Sequence, residues 1–385
     1  MLDDGCGAPR APESAPATFA RSRARPLHVG FIDLIDAAPL IVARELGYFA
    51  DEGLNVVLER QLGWGSVRDR LTFGQLDAAH GLLGMPLFSN LGRDWFVEPL
   101  VAVMNLGAGG NAITLSRRLV DAGVRSAVGL GHYVRNDPSH EVLVFGHVFS
   151  CSTHHYLLRD WLAGGGINPD RDVRLRVFPP NQLAGHMERG QVDGMCVGEP
   201  WNTLAQQSGA GRMVAATTDL LPDHPEKILT VTRRWMEAHG GELLVPMIRA
   251  VLRACAFCDD VTKHDELAEM LARPQYLNMP RDVIRQSLAL VESDIPSSAR
   301  PCEARPDGWR MRTFAPADTF PSKAHSAWMA QQMIRWRQLP PDTDVQSLAA
   351  ACVDATGYRE AAMSLGVECP AESPIEATLM QGTRT

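Results

Sequence analysis

The chain has 385 residues, 45% of them hydrophobic and 21% charged, with a formal net charge of −8. That length exceeds one ordinary core, so two lobes are expected, and the acidic balance argues against a general nucleic-acid binder, which needs a basic face. No apolar run reaches the ~18 residues of a membrane span, so a gene-regulatory role would have to work through a protein partner.

Residues 1–25 open on Met1-Leu-Asp-Asp4 and are rich in Ala, Pro, Ser and Arg. A secretory signal needs a basic start followed by an apolar stretch. This segment offers neither, so it reads as a disordered leader and the protein as cytoplasmic. Pro26–Ile32 then reads as a first strand. Asp36 is placed to cap a helix that carries Pro39 in its first turn and closes at Gly47. Asn55–Leu62 is a second strand, Ser66–Phe73 a helix, Asp77–Leu83 a third strand and Leu100–Met104 a fourth. The alternation specifies an α/β protein whose sheet is mostly parallel, with helices on both faces.

Glycines 107, 109 and 110 mark a hinge or a close backbone approach before the strand Ala112–Ser116. A second strand–helix series follows to residue 218. The expected organisation is one lobe from 26–113 plus 230–385 and another from 114–229. Helices are expected at 241–258, 263–272, 280–290 and 323–337, a covering loop at 309–320, and a mobile tail after residue 372. The eight cysteines are scattered. Cys255 and Cys258 have metal or redox spacing, but they fall inside a helical pattern and read as core.

Trp64 lies between Gly63 and Gly65 where a strand gives way to a helix. A helix N-terminus offers unpaired N–H groups and a partial positive charge, and the indole adds a flat face and one donor. The turn therefore reads as one wall of a small-anion pocket. Two α/β lobes facing each other would bring Asn111, His154 and Lys227 to the same cleft. Each has a plain alternative on its own: a buried Trp, a turn Asn, a satisfied His and a solvated Lys. His154, His155, His186 and His224 match no common zinc spacing. The chain shows no nucleophile elbow and no phosphate loop. Cys151, near a helix start and His154-His155, is a conceivable nucleophile, and an enzyme reading would rest on it or on a histidine. No metal, cofactor or catalytic residue is expected.

Gly30–Ala43, Gly63–Asp69, Gly165–Asp170, Cys196–Trp201 and Asp223–Lys227 together resemble the nitrate/bicarbonate-binding proteins of ABC transporters, over about residues 27–370. The resemblance implies a two-lobed periplasmic-binding-protein-like fold of type II with a helical C-terminal extension. It also implies an anion site at Trp64, Gly65, Asn111, His154 and Lys227. Asn111 stands where nitrate binders carry Gln, and the basic pair His154 and Lys227 favours nitrate or nitrite over bicarbonate. Without an export signal, the chain is similar to a cytoplasmic nitrate/nitrite sensor that controls an RNA-binding antiterminator in nitrate assimilation. A transporter's nitrate-binding component is the alternative, and an enzyme on the same fold a more distant one.

Overall fold

The structure is a computed structural model that describes residues 25–91, 98–136, 141–289 and 316–371. The leader (apart from Arg25), most of the covering loop and the tail after residue 372 lie outside these residues. Among the described residues, ten strands form two five-stranded sheets. They are β1 (Leu27–Phe31), β2 (Val56–Arg60), β3 (Ala78–Leu82), β4 (Leu100–Asn105), β5 (Asn111–Ser116), β6 (Val144–His147), β7 (Arg174–Val177), β8 (Gly194–Gly198), β9 (Gly211–Ala216) and β10 (Lys227–Thr232). The orders are β2-β1-β3-β10-β4 and β7-β6-β8-β5-β9.

The two sheets repeat one plan, which is less parallel than the alternation alone implies. Strands β2, β1 and β3 are parallel, but β10 enters antiparallel between β3 and β4. Likewise β7, β6 and β8 are parallel, and β5 enters antiparallel between β8 and β9. The reason is connectivity. The chain crosses between lobes twice, and a strand arriving from the other lobe runs against the strands it joins. Lys227 therefore belongs to a strand, and β5 lies wholly in the second sheet. The exchanges fall a few residues before the expected boundaries at 113/114 and 229/230.

The crossovers run side by side. Ala108 bridges Pro225, and Gly109 N donates to the His224 carbonyl at 3.3 Å. Gly107, Gly109 and Gly110 hold positive φ of 153°, 73° and 80°, values open mainly to glycine. Because β5 and β10 run against their neighbours, their first residues, Asn111 and Lys227, sit at the C-terminal ends of the parallel strands. Open α/β sheets collect ligands at that edge.

The C-terminal region is helical, as expected, and also contains the helices Val345–Cys352 and Thr356–Ser364, which the pattern did not single out. Pro316–Thr319, assigned to the covering loop, forms a short helix. Cys151, Cys196, Cys255, Cys258 and Cys352 are buried, with no disulfide among them. No described helix is long and apolar enough to cross a membrane.

The helix Lys323–Arg335 reaches the second lobe, where Arg335 Nη1 lies 3.0 Å from Asp160 Oδ1. Burial raises the Asp160 carboxyl to about 6, against the opposing pull of Arg335. A carboxyl raised above its unfolded value contributes stability at low pH and loses it as pH climbs through the folded value. Asp160→Asn is therefore expected to abolish a loss of about 2–3 kcal/mol between roughly pH 4 and pH 7. Urea melts of both proteins at the two pH values check this.

Candidate anion site between the lobes

The site begins where β2 ends. The helix Trp64–Thr72 starts two residues earlier than the sequence pattern places it, so Trp64 is its first residue, and no side chain caps it. Gly63 is extended, with φ 176°, and a Cβ on Gly63 or Gly65 would meet nothing within 4 Å. The two glycines are therefore not demanded by the turn. What the turn supplies is an uncapped helix start and a buried indole, Trp64 being 1% exposed.

Asp36 does not cap the first helix. It sits in a single 3-10 turn, Ile35–Ala37, and the helix Ala38–Glu45 follows with Pro39 in its first turn. This turn carries the Asp36 side chain inward, where Oδ2 lies 2.8 Å from Lys227 Nζ and Oδ1 lies 2.9 Å from His80 Nε2. His80 Nδ1 accepts from Ile32 N at 3.3 Å, so its proton is on Nε2, facing Asp36. Lys227 Nζ also donates to Glu226 Oε2 at 2.8 Å and lies 6.0 Å from the centre of the Trp64 ring. Glu226 Oε1 is 2.9 Å from His224 Nδ1, and His224 Nε2 is 2.7 Å from Thr217 Oγ1. A buried row thus runs His80, Asp36, Lys227, Glu226, His224, with the Lys227 ammonium between two carboxylates and an imidazole against each carboxylate.

His154 approaches this row from the other lobe. It is the second residue of the helix Thr153–Gly164, whose N-cap Ser152 accepts from His155 N at 3.2 Å. His154 Nε2 lies 2.8 Å from Asn111 Oδ1 and 3.7 Å from Glu226 Oε2. Gly198 pairs with Asn111 across β8 and β5. A Cβ on Gly198 would come within 3.1 Å of Asn111 Oδ1 and 3.3 Å of Leu34 Cδ2, from opposite lobes. Gly198→Ala is therefore expected to push Asn111 aside and weaken anion binding several-fold with little change in melting temperature, as titration calorimetry and a thermal melt would show.

Burial alone would lift the carboxyls of Asp36 and Glu226. No single neighbour outweighs it, but Lys227 with His80 at Asp36, and Lys227 with His154 and His224 at Glu226, together hold both below the usual range. Burial would lower Lys227, but the two carboxylates raise it. His154 differs: burial, then the Lys227 charge, lower it to about 3. The expected basic pair is corrected here to one ammonium and one neutral imidazole, because a dry site beside a cation disfavours a second positive charge.

The structure thus brings Trp64, Asn111, His154 and Lys227 into one buried cluster, with Gly65 beside it in the first turn of its helix. Asp36, His80, Glu226, His224 and Gly198 join them, although the residue-by-residue reading of the sequence missed their part. Glu226 was legible as the neighbour of Lys227, and Asp36 as an acid just beyond the C-terminal end of β1. Trp64 Nε1, Asn111 Nδ2 and His154 Nδ1 are buried with no hydrogen-bond partner among the described residues. Asp36 Oδ1, His80 Nε2 and Glu226 Oε1 also lack a hydrogen bond, but each faces an ion-pair neighbour at 2.9 Å. A buried polar atom left unpaired is destabilising by roughly 1–3 kcal/mol, so the three with no such neighbour mark a place built to receive a polar guest.

The other chemical candidates separate. His155 Nδ1 pairs with His147 Nε2 at 3.3 Å, and His186 Nδ1 with Gln191 Oε1 at 2.6 Å, apart from His154 and His224. Among the described residues no group of three His, Cys, Asp or Glu is arranged for a metal. Cys151 is fully buried where the lobes meet: a Cβ on Gly84 would lie 2.1 Å from its carbonyl oxygen. The lobes are closed on the cluster. Trp201 Nε1 donates to the Asp33 carbonyl at 3.0 Å, Asn181 Nδ2 to Asp33 Oδ2 at 3.0 Å, and Ile35 N to the Glu199 carbonyl at 2.9 Å.

Residues 20–272 match the NMT1-like family. The nitrate/nitrite binding protein NrtA of Nostoc sp. is 30% identical over 98% of this chain and 86% of its own length. The bicarbonate transport ATP-binding protein CmpC of Synechococcus elongatus is 35% identical over 91% of this chain and 52% of its own. The chain thus spans about half the length of that relative. Among solved structures, the periplasmic nitrate-binding protein NrtA from Synechocystis aligns with a TM-score of 0.82 at 28% identity, covering 89% of each chain. The alkanesulfonate-binding protein SsuA from Xanthomonas axonopodis shares the fold, with a TM-score of 0.62 at 18% identity, covering 86% of this chain and 98% of its own.

Proposed function

The chain belongs to the NMT1-like family, and from that premise we propose that it binds nitrate or nitrite between its lobes as the substrate-binding component of an import system. One observation carries the reading: the three buried nitrogens without partners on Trp64, Asn111 and His154 belong to side chains gathered around the Lys227 ammonium. A planar oxyanion needs several weak donors, one counter-charge and a flat apolar face. Asn111 Nδ2, Trp64 Nε1, the third Lys227 N–H and the uncapped helix start supply the donors, and the indole supplies the face.

Transport takes first place over the sensor expectation because the relatives above are named for transport and binding. Their names lend no support to a cytoplasmic location or to an antiterminator partner. The role proposed is binding without catalysis.

Ligand size limits the affinity. Nitrate's four heavy atoms at roughly −1.5 kcal/mol each give about −6 kcal/mol, a dissociation constant of tens of micromolar, and nitrite's three give about −4.5 kcal/mol, roughly half a millimolar. Titration calorimetry with nitrate, nitrite and hydrogencarbonate, alongside the protein's intrinsic tryptophan fluorescence, tests the proposal. Saturable binding of nitrate at tens of micromolar, or of nitrite at up to about half a millimolar, is expected. Saturable binding of hydrogencarbonate alone, or of none of the three, would overturn it.

A further inference from the structure

We infer that the site takes up a bare oxyanion together with one proton, which His154 Nδ1 receives from bulk water as the anion enters. This rests on the proposed function and specifies how the site meets its ligand.

The tautomer of His154 follows from its neighbours. Nε2 lies 2.8 Å from Asn111 Oδ1 and 3.7 Å from Glu226 Oε2. Turning the Asn111 amide over would let Nε2 accept instead, but it would then set a lone pair against the Glu226 carboxylate. Nε2 therefore carries the ring proton and donates. Nδ1, buried and without a partner, is then a lone pair in the neutral ring. A lone pair repels an oxyanion. Only protonation turns Nδ1 into a donor.

Charge leads to the same result. The groups facing His154 are Lys227, Glu226 and His224 at the start of β10, and Asp36 from the turn after β1. Asp36 and Glu226 together outnumber the ammonium. His224 has both ring nitrogens against oxygen, on Glu226 and Thr217. Even if His224 is cationic, two positive and two negative charges cancel before the ligand arrives. A monovalent anion would then be an uncompensated charge in a closed, dry site, and such a charge is strongly disfavoured. One proton on His154 restores the balance and supplies the missing donor. Burial and Lys227 keep that proton off beforehand, holding His154 at about 3. A ligand that carries its own hydroxyl, such as hydrogencarbonate, could donate to Nδ1 directly, so imported proton and bare oxyanion belong together.

The test counts protons on the unmodified protein. Nitrate and nitrite are titrated calorimetrically at fixed pH in buffers of different ionisation enthalpy. Uptake approaching one proton per anion is expected near pH 6, with the dissociation constant rising about tenfold per pH unit over the same range and levelling off where the bound imidazole loses its proton. Binding with no proton uptake and a flat pH profile would overturn the inference while leaving the anion-binding function intact. Absence of both binding heat and tryptophan fluorescence change would instead overturn the function itself. In His154→Gln, a neutral amide replaces the titrating ring, and the proton linkage should vanish. Linkage that persists in this variant would place the proton elsewhere and equally overturn the assignment.

Discussion

Lys227→Met is expected to abolish anion binding and to lower the folding stability by about 3–5 kcal/mol at neutral pH. Sequence alone presents this lysine as a cleft residue, with a solvated surface charge as the plain alternative. The structure gives it a second task. Its ammonium is the shared partner of Asp36 and Glu226, both almost completely buried, and removing it leaves two carboxylates facing each other across a dry gap. The pH dependence identifies the cause. In the parent protein both carboxyls are held low, so their contribution is present above the unfolded values and fades only in strong acid. Without Lys227 they would be raised, and the variant should regain stability relative to the parent as pH falls toward about 4. Adding Glu226→Gln should recover part of the stability and none of the binding. Urea denaturation across pH, with calorimetry for the anion, separates the two losses. A Lys227→Met protein as stable as the parent at pH 8 would show that the ammonium between the two carboxylates does not hold the site together.

The pattern of residues disclosed the strands other than β10, the two-lobed plan and the turn at Trp64, because each depends on local periodicity and punctuation. It disclosed less of the site's electrostatics, for a physical reason. Asp36 satisfies every local rule for a helix N-cap, and only the fold shows that its side chain faces Lys227, far along the chain on β10. His80, in the middle of β3, gives no local sign that Asp36 stands against it. Gly198 looks like any strand-ending glycine until Leu34 and Asn111 arrive from different lobes. The reversed strands were hidden in the same way. Lys227–Thr232 is a run of strand formers, yet its direction and its place between β3 and β4 follow from the crossover rather than from composition. Charge pairing across such distances is a property of topology, and so is the burial that, with the Lys227 charge, holds His154 neutral.

Closure can be tested apart from chemistry. Gly84→Ala is expected to hold the lobes apart and to weaken nitrate or nitrite binding by roughly 5- to 150-fold, while the melting temperature changes little. Gly84 begins the helix Gly84–Asn90 beyond β3, and Cys151 precedes the helix Thr153–Gly164 beyond β6, so their contact joins one lobe to the other. A methyl group on Gly84 would lie 2.1 Å from the Cys151 carbonyl oxygen and 2.8 Å from its Cβ. The oxygen is backbone and cannot rotate away. Overpacking of this kind typically disfavours a state by about 1–3 kcal/mol. Here it acts on the closed state alone, because the contact disappears when the lobes part about the glycine-rich crossover at 107–110. The apparent affinity then falls with the population of the closed form. Small-angle scattering should show a larger radius of gyration for the variant, returning to the parent value at saturating anion. An unchanged scattering profile with unchanged affinity would mean that the lobes do not need this contact to close, and that the anion reaches its donors by another movement.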